Sequence, residues 1–500
     1  MVYGTLILNA LLVAPVIGVL FYLYMNYSHT YWRRKGIPST SGHWFYGNVK
    51  DAVLFRKNAA FLIGDLFLHA PTDADMYGIY MLHKPFLLIR SPELIKQIMV
   101  KDFHIFADRF FTAESHQDKI GSSNLFTIKN PDWRQLRTKI TPVFTSGKMK
   151  KLFHLIVETT ESMKNYLLKE VSGSDTKTIE MRTVALKYTT DIISSIAFGI
   201  HVNSFDKNND EFFRKAQEGL TPTIRRSVQF FFMFFFPSFS KYIGGKFLGS
   251  TTDYFRSVFW DSMENREMSK SKRGDLIDSL IEIKDDKRNN DYKLEGDVLV
   301  SQSAIFFVAG RESSVTTICF TLYELSKYPD IQKRVRKEIQ DIIKAEGITY
   351  ESIHNMKYLN QVICEILRLY PAAPLLDRIT STDYKVPGTD IVIEKGTPIY
   401  IPLCGLHRDP RYFPDPDRFD PDRFSDENKN NITQFTYMPF GEGPRNCIGM
   451  RLGMIQSAMG VITVLRDFEV SLDPTYKYDV DRYNVFLQAP KDFILNLRKL

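Results

Sequence analysis

Phe440-Gly-Glu-Gly-Pro-Arg-Asn-Cys-Ile-Gly449 sets one cysteine among glycines, an arginine and the start of a helical pattern that runs to about Arg466. A helix beginning near Gly449 aims its first N–H groups at the Cys447 sulfur, which favours the thiolate and lowers the thiol pKa. Arg445 carries a planar charged fork suited to a carboxylate. Gly441 and Gly449, with Phe440 at the head of the loop, let backbone lie close against a flat partner. A soft anionic sulfur presented in this way is a metal ligand rather than a buried structural thiol.

The rest of the chain gives that ligand a setting. The other cysteines, Cys319, Cys364 and Cys404, form no C-x-x-C pair, so they read as small buried hydrophobes in a reducing, cytosol-facing compartment and not as a disulfide framework or a zinc site. With 500 residues, 44% hydrophobic content and a net charge of +7 in mixed order, the chain can bury a large core and carries no basic stripe for nucleic acid. No Gly/Ser-rich linker or internal repeat divides it, which favours one large domain over residues 33–500.

Residues 1–32 differ from that body. They contain no Lys, Arg, Asp or Glu, and Thr5 to Met25 is almost wholly apolar, long enough at ~1.5 Å per residue to cross a ~30 Å hydrocarbon layer. The absence of a basic leader or a small-x-small site argues for a single transmembrane anchor over a cleaved signal peptide. Arg33, Arg34 and Lys35 follow and keep the body cytosolic, and Gly36-Ile37-Pro38 is expected to break the helix.

From about Pro92 to Tyr370 apolar residues recur with helical period, as at Leu359, Val362, Ile363, Ile366, Leu367 and Tyr370. Strands are expected at Phe86 to Ile89 and within Tyr384 to Ile401, irregular chain from Pro371 to Phe424, and a hairpin in the stretch ending in Phe493 to Leu497. The run Phe230 to Phe236 is too short to span a bilayer, and it fits a core segment, an interfacial face or the roof of an apolar pocket equally well.

Phe440 to Gly449 matches F-x-x-G-x-R-x-C-x-G at every fixed position, and there the chain resembles the cytochrome P450 family, a resemblance that extends over essentially its whole length. It implies a mainly α fold with small β-sheets and haem b (iron protoporphyrin IX) ligated by Cys447, whose thiolate favours O–O cleavage. Glu365-Ile-Leu-Arg368 is similar to the family's E-x-x-R pair. Pro421-Asp-Arg-Phe424 resembles its P-E-R-F segment, with Asp422 where Glu is commoner, so Arg423 would close a structural triad with Glu365 and Arg368. Trp133-Arg-Gln-Leu-Arg137 matches W-x-x-x-R, placing Trp133 and Arg137 on one helix face towards the haem propionates. Arg378 and Arg109 are further propionate partners by the same resemblance.

The apolar helix expected over Ser303 to Leu322 is interrupted by Ala309-Gly-Arg-Glu-Ser-Ser314, which resembles the family's oxygen-binding groove A-G-x-E/D-T. The resemblance assigns Glu312 and Ser313 to proton delivery, with Ala309 over the iron. Ser313 stands where threonine is usual and lacks the methyl that restricts χ1, while Arg311 at the variable position either leaves the site or favours polar substrates.

The activity implied is insertion of one atom of O2 into a hydrophobic substrate, with electrons from NADPH through cytochrome P450 reductase and cytochrome b5 as a further partner. The anchor implies the cytosolic face of the endoplasmic reticulum membrane. The chain looks most like insect microsomal members that oxidise plant toxins and insecticides. Oxidation of hormones or fatty acids, or a reductase-independent haem-thiolate isomerase, are the alternatives, and the Glu312–Ser313 pair argues against the isomerase and against a haem carrier. Lys148, Lys150 and Lys151 fit a reductase-docking face or a solvated charge run. The pocket walls are expected around Arg109 to Phe126, the Phe230 run, Ala309, Ala372 to Leu375 and Phe486 to Leu487.

Overall fold

Apolar residues spaced for one helix face bury that face here as expected. In α9 (Lys357–Leu369) the predicted set Leu359, Val362, Ile363, Ile366 and Leu367 is buried, and Tyr370 caps the C-terminus half-exposed. The structure, a computed structural model, describes residues 2–500 except 113–117, 222, 286–293, 474, 477, 488, 490 and 491, so part of the Arg109–Phe126 wall lies outside the described residues. The helices that position the site are α1 (Val2–Ser28), α2 (Asp132–Ile140), α3 (Ser146–Val171), α4 (Met181–Ala197), α5 (Glu211–Leu220), α6 (Ile224–Phe235), α7 (Asp297–Lys327), α8 (Pro329–Glu346), α9 and α10 (Met450–Asp467).

Helix α7, 31 residues and roughly 46 Å long, is the axle. It runs unbroken through Ala309–Ser314 and packs on α4 and α10. Gly310 is what lets α4 approach, because a Cβ there would sit 2.9 Å from Ile193 Cδ1. Around α7 lies the larger of two apolar cores, and the smaller is built on the main sheet and holds Phe86, Phe111, Leu376 and Tyr400.

That sheet has the order β1 (Met76–Met81), β2 (Lys84–Ile89), β7 (Pro398–Pro402), β4 (Leu375–Ile379), with β2 and β7 parallel and the other pairs antiparallel. Sequence periodicity located β2 and β7 but not β1 or β4. All of β1 is buried, so it reads as a continuous apolar run without the alternation of a half-exposed strand. A second sheet orders β3 (Thr176–Glu180), β9 (Ile494–Lys499) and β8 (Phe468–Leu472), and β5 (Tyr384–Lys385) pairs with β6 (Val392–Ile393). The C-terminal stretch is therefore not a tight hairpin. β9 lies between β8 and β3, and a long connection separates it from β8.

At the N-terminus α1 ends at Ser28, earlier than Gly36-Ile37-Pro38. Trp32 is buried on the main sheet, its Nε1–H donating to Ile79 O at 3.2 Å and its ring filling the space where a Gly78 side chain would stand. Val13 to Tyr24 expose apolar side chains. Among the described residues α7 is the one helix long and apolar enough to cross a bilayer, and it is a buried core helix. In the Phe-rich run of α6, Met233 to Phe236 are buried. The Phe234 ring packs tilted against Phe111 at 4.2 Å and edge-to-face against Phe486 at 5.2 Å, so this run is chiefly core.

Candidate active site

The loop that precedes α10 is folded by its own sequence. Gly441 and Gly443 take φ of +69° and +72°, and the Cys447 N–H donates to Phe440 O at 2.8 Å. Gly443 is glycine for a nearby reason: a Cβ would lie 1.9 Å from the Met99 carbonyl oxygen, so this close approach is to backbone rather than to a flat partner. Gly449 caps α10 as expected. Cys447 exposes its side chain to an internal cavity and not to bulk water. Burial pushes its thiol up, against which the Gly449 N–H and the charges of Arg137 and Arg109 pull it down, so the helix N-terminus alone does not give the depressed pKa expected of it.

The cavity, about 410 Å³, lies at the seam of the two cores, lined by Leu125, Ile193 and Phe247 from one and by Met99, Phe111 and Leu376 from the other. Cys447 and Phe440 stand on one wall, and Ala309, Glu312 and Ser313 of α7 on another. Phe230, Ala372, Phe486 and Leu487 also line it, as expected.

Cations crowd one side. The Arg445 guanidinium lies over the Trp133 ring at 4.4 Å and donates through Nη2 to Ile128 O at 2.8 Å. Arg109 pairs with Asp377 at 2.9 Å and covers Phe126, and Arg378 donates to Asp377 O at 2.7 Å. Burial and mutual repulsion push Arg445 and Arg378 down from the ordinary arginine value, and burial does the same to Lys129 beside them. Nε of Arg109, Arg378 and Arg445 is buried, in each case without a hydrogen-bond partner among the described residues. Among the described residues four cations here face two carboxylates, Asp108 and Asp377. Arginine keeps its proton in proteins, so the uncompensated charge calls for a dianion. The two propionates of haem b would supply that charge, and a thiolate would be its fitting iron ligand.

Arg137 is otherwise engaged. Nη1 and Nη2 donate to Asn446 O and Oδ1 at 3.0 and 2.9 Å, which ties this residue to the thiolate loop, and it lines the same cavity as the other arginines. Arg311 points away from the cavity, wholly buried between α4 and α5. Ser313 Oγ donates to Ala309 O at 2.6 Å. Glu312 Oε1 accepts from Arg311 at 2.6 Å, while Oε2, 3.6 Å from Arg182, has no hydrogen bond among the described residues.

Behind the loop, Glu365 and Arg368 form a fully buried bidentate pair at 2.7 and 2.8 Å, with Arg423 Nε 3.6 Å from Glu365. Arg368 also donates to the carbonyls of His407, Pro416 and Arg418. His407 joins this triad to the thiolate loop. Nε2 accepts from the Met438 N–H at 3.0 Å, which makes Nδ1–H the donor to Arg368 O at 3.3 Å. Sequence reading missed His407, Asn446, Lys129 and Asp377, whose partners are brought to them only by tertiary folding. Cys404 and Cys319 are buried, Cys364 is half-buried, and none forms a disulfide.

A cavity that brings a sulfur ligand to one wall and a hydroxyl with a carboxylate to another, beside charge for two propionates, defines the class of thiolate-ligated haem enzymes. The chain belongs to the cytochrome P450 family, whose family model matches residues 38–497, and it is a haem b monooxygenase. It is 41% identical over 488 residues to cytochrome P450 6k1 of Blattella germanica, covering 93% of this chain and 92% of the relative. It is 37% identical over 480 residues to cytochrome P450 6a2 of Drosophila melanogaster, covering 93% and 94% of the two chains. It is 36% identical over 507 residues to probable cytochrome P450 6g2 of the same fly, covering 97% and 98%.

Proposed function

We propose that this enzyme inserts oxygen into apolar xenobiotics such as plant toxins and insecticides, at the cytosolic face of the endoplasmic reticulum, anchored by its first 32 residues. Electrons come from NADPH through cytochrome P450 reductase, with cytochrome b5 as a second donor. The observation that carries this reading is the cavity itself: aromatic walls from Phe111, Phe126, Phe230 and Phe486, with polar groups gathered near Cys447 and on α7. Such a lining binds by burial of apolar area and selects weakly for shape, as a broad-substrate enzyme requires.

In this reading Cys447 ligates the iron, and Arg378, Arg445 and Arg109 hold the propionates, with Trp133 beneath Arg445. When bound, the haem supplies oxygen activation and transfer. The Glu312 carboxylate, which lines the cavity, takes a proton from water, and the Ser313 hydroxyl passes it on at Oγ. Ala309 and Gly310 leave room beside that hydroxyl, and the aromatic walls limit stray water.

Reconstitution with cytochrome P450 reductase in lipid vesicles, assayed on a panel of plant toxins, insecticides, steroids and fatty acids, tests the proposal. Oxidised products matched by NADPH consumption across several xenobiotics are expected. Turnover confined to one steroid or fatty acid, or supported by peroxide alone, would overturn it.

A further inference from the structure

Arg311 sits in α7 between Gly310 and Glu312, and each nitrogen of its buried guanidinium has one partner on a different segment. Nε donates to Thr190 Oγ1 of α4 at 2.8 Å, Nη1 to Glu312 Oε1 at 2.6 Å, and Nη2 to Gln217 Oε1 of α5 at 2.6 Å. The guanidinium is planar, so the three bonds share one frame, and a shift imposed at one nitrogen turns the others. A buried cation of this kind is stable only while those partners stay in place.

Two further observations give the frame a direction. Leu220, in the last turn of α5, lines the cavity that Glu312 also lines. Among the described residues Glu312 is hydrogen-bonded at one oxygen only, since Arg182 meets Oε2 as an ion pair at 3.6 Å without a hydrogen bond and the Arg182 Nε has no partner. A molecule pressing on Leu220 moves α5, and α5 reaches the carboxylate through two hydrogen bonds. Thr190 anchors the frame to α4, which packs closely on α7 and so provides the fixed side.

We propose that Gln217 and Arg311 are positioning residues that couple occupancy of the cavity beside Leu220 to the orientation of the Glu312 carboxylate. The consequence for turnover rests on the reading of Glu312 as proton carrier given above. Proton delivery is then favoured when the cavity is filled, which limits reduction of oxygen without substrate.

The test uses the haem-loaded enzyme and biphenyl, an apolar probe with no group to hydrogen-bond Glu312 directly. The Glu312 carboxylate band is assigned in infrared difference spectra by its absence from Glu312→Gln. Biphenyl is expected to shift that band in the wild type. Gln217→Met should bind biphenyl and lose the shift, whereas Gln217→Glu, which keeps an oxygen facing the guanidinium, should retain it. Leu220→Ala withdraws only the contact of α5 with the cavity and should weaken the same shift, so it decides the matter if Gln217→Met does not fold. A wild-type shift that persists in Gln217→Met or in Leu220→Ala overturns the coupling. An unchanged ratio of product to NADPH in Glu312→Gln, with the shift still dependent on Gln217, removes Glu312 from proton delivery and leaves the coupling standing.

Discussion

Ser313 holds its hydroxyl on the Ala309 carbonyl at 2.6 Å without the methyl that would fix its χ1. Ser313→Ala is expected to retain haem and substrate affinity but to release more of its NADPH as hydrogen peroxide, read as a lower ratio of product to NADPH. Ser313→Thr should equal or exceed the wild type in that ratio. At this scale the sequence spoke clearly where chemistry is local. Cys447, Arg445 and Ser313 are recognisable because loop and helix positions lie within a few residues of one another. It was silent on His407, whose partners Arg368 and Met438 lie 39 and 31 positions away. Nor did it reveal that Arg137 bonds Asn446 of the thiolate loop: an i, i+4 relation to Trp133 fixes a helix face but not which acceptors on that side the guanidinium meets.

At the level of elements, the thiolate loop is clamped between α9 and the segment containing Met99. Glu365 and Arg368 are both fully buried and paired, so Glu365→Gln leaves a guanidinium without its counter-charge. It should destabilise by about 3–5 kcal/mol and lower haem retention, measured by urea unfolding and pyridine haemochrome content. On the other side of the loop, Gly443→Ala meets both a left-handed φ and the Met99 carbonyl. A cost of at least about 2 kcal/mol and weakened haem retention are expected, whereas an alanine at the exposed Gly147, which has open space around it and lies away from the cavity, should be nearly silent. Helices were legible because the spacing of their apolar residues is set by one face. Strands β1 and β4 were not, since burial on both sides erases alternation.

For the molecule as a whole, two buried groups pull stability in opposite directions with pH. Burial and the nearby Arg368 charge push His407 from 6.5 down to about 3, so its folded form stays neutral and stability is lost as pH falls below 6.5. Burial pushes Asp191 from 3.8 up to about 7, against its hydrogen bonds from Ser204, so stability is lost as pH rises from 3.8 towards 7. Each contributes a slope of roughly 1.4 kcal/mol per pH unit in the shared window, and the two cancel. Urea midpoints between pH 4.5 and 6.5 should therefore rise with pH in Asp191→Asn, relative to the wild type, and fall with pH in His407→Gln. The N-terminus gives a second test of the whole. Removing residues 2–23 should leave a folded body with weaker membrane association. Removing residues 2–32 also strips Trp32 from the main sheet and should cost a further 3–5 kcal/mol or so, seen as a lower thermal midpoint.

The cavity lies where two cores meet and is the interior of neither. A side chain exchanged on its wall changes what is bound while each core keeps most of its own contacts. Such a wall is cheap to vary over evolutionary time, and a lineage can multiply copies of this chain with new tastes in substrate without first stabilising the scaffold.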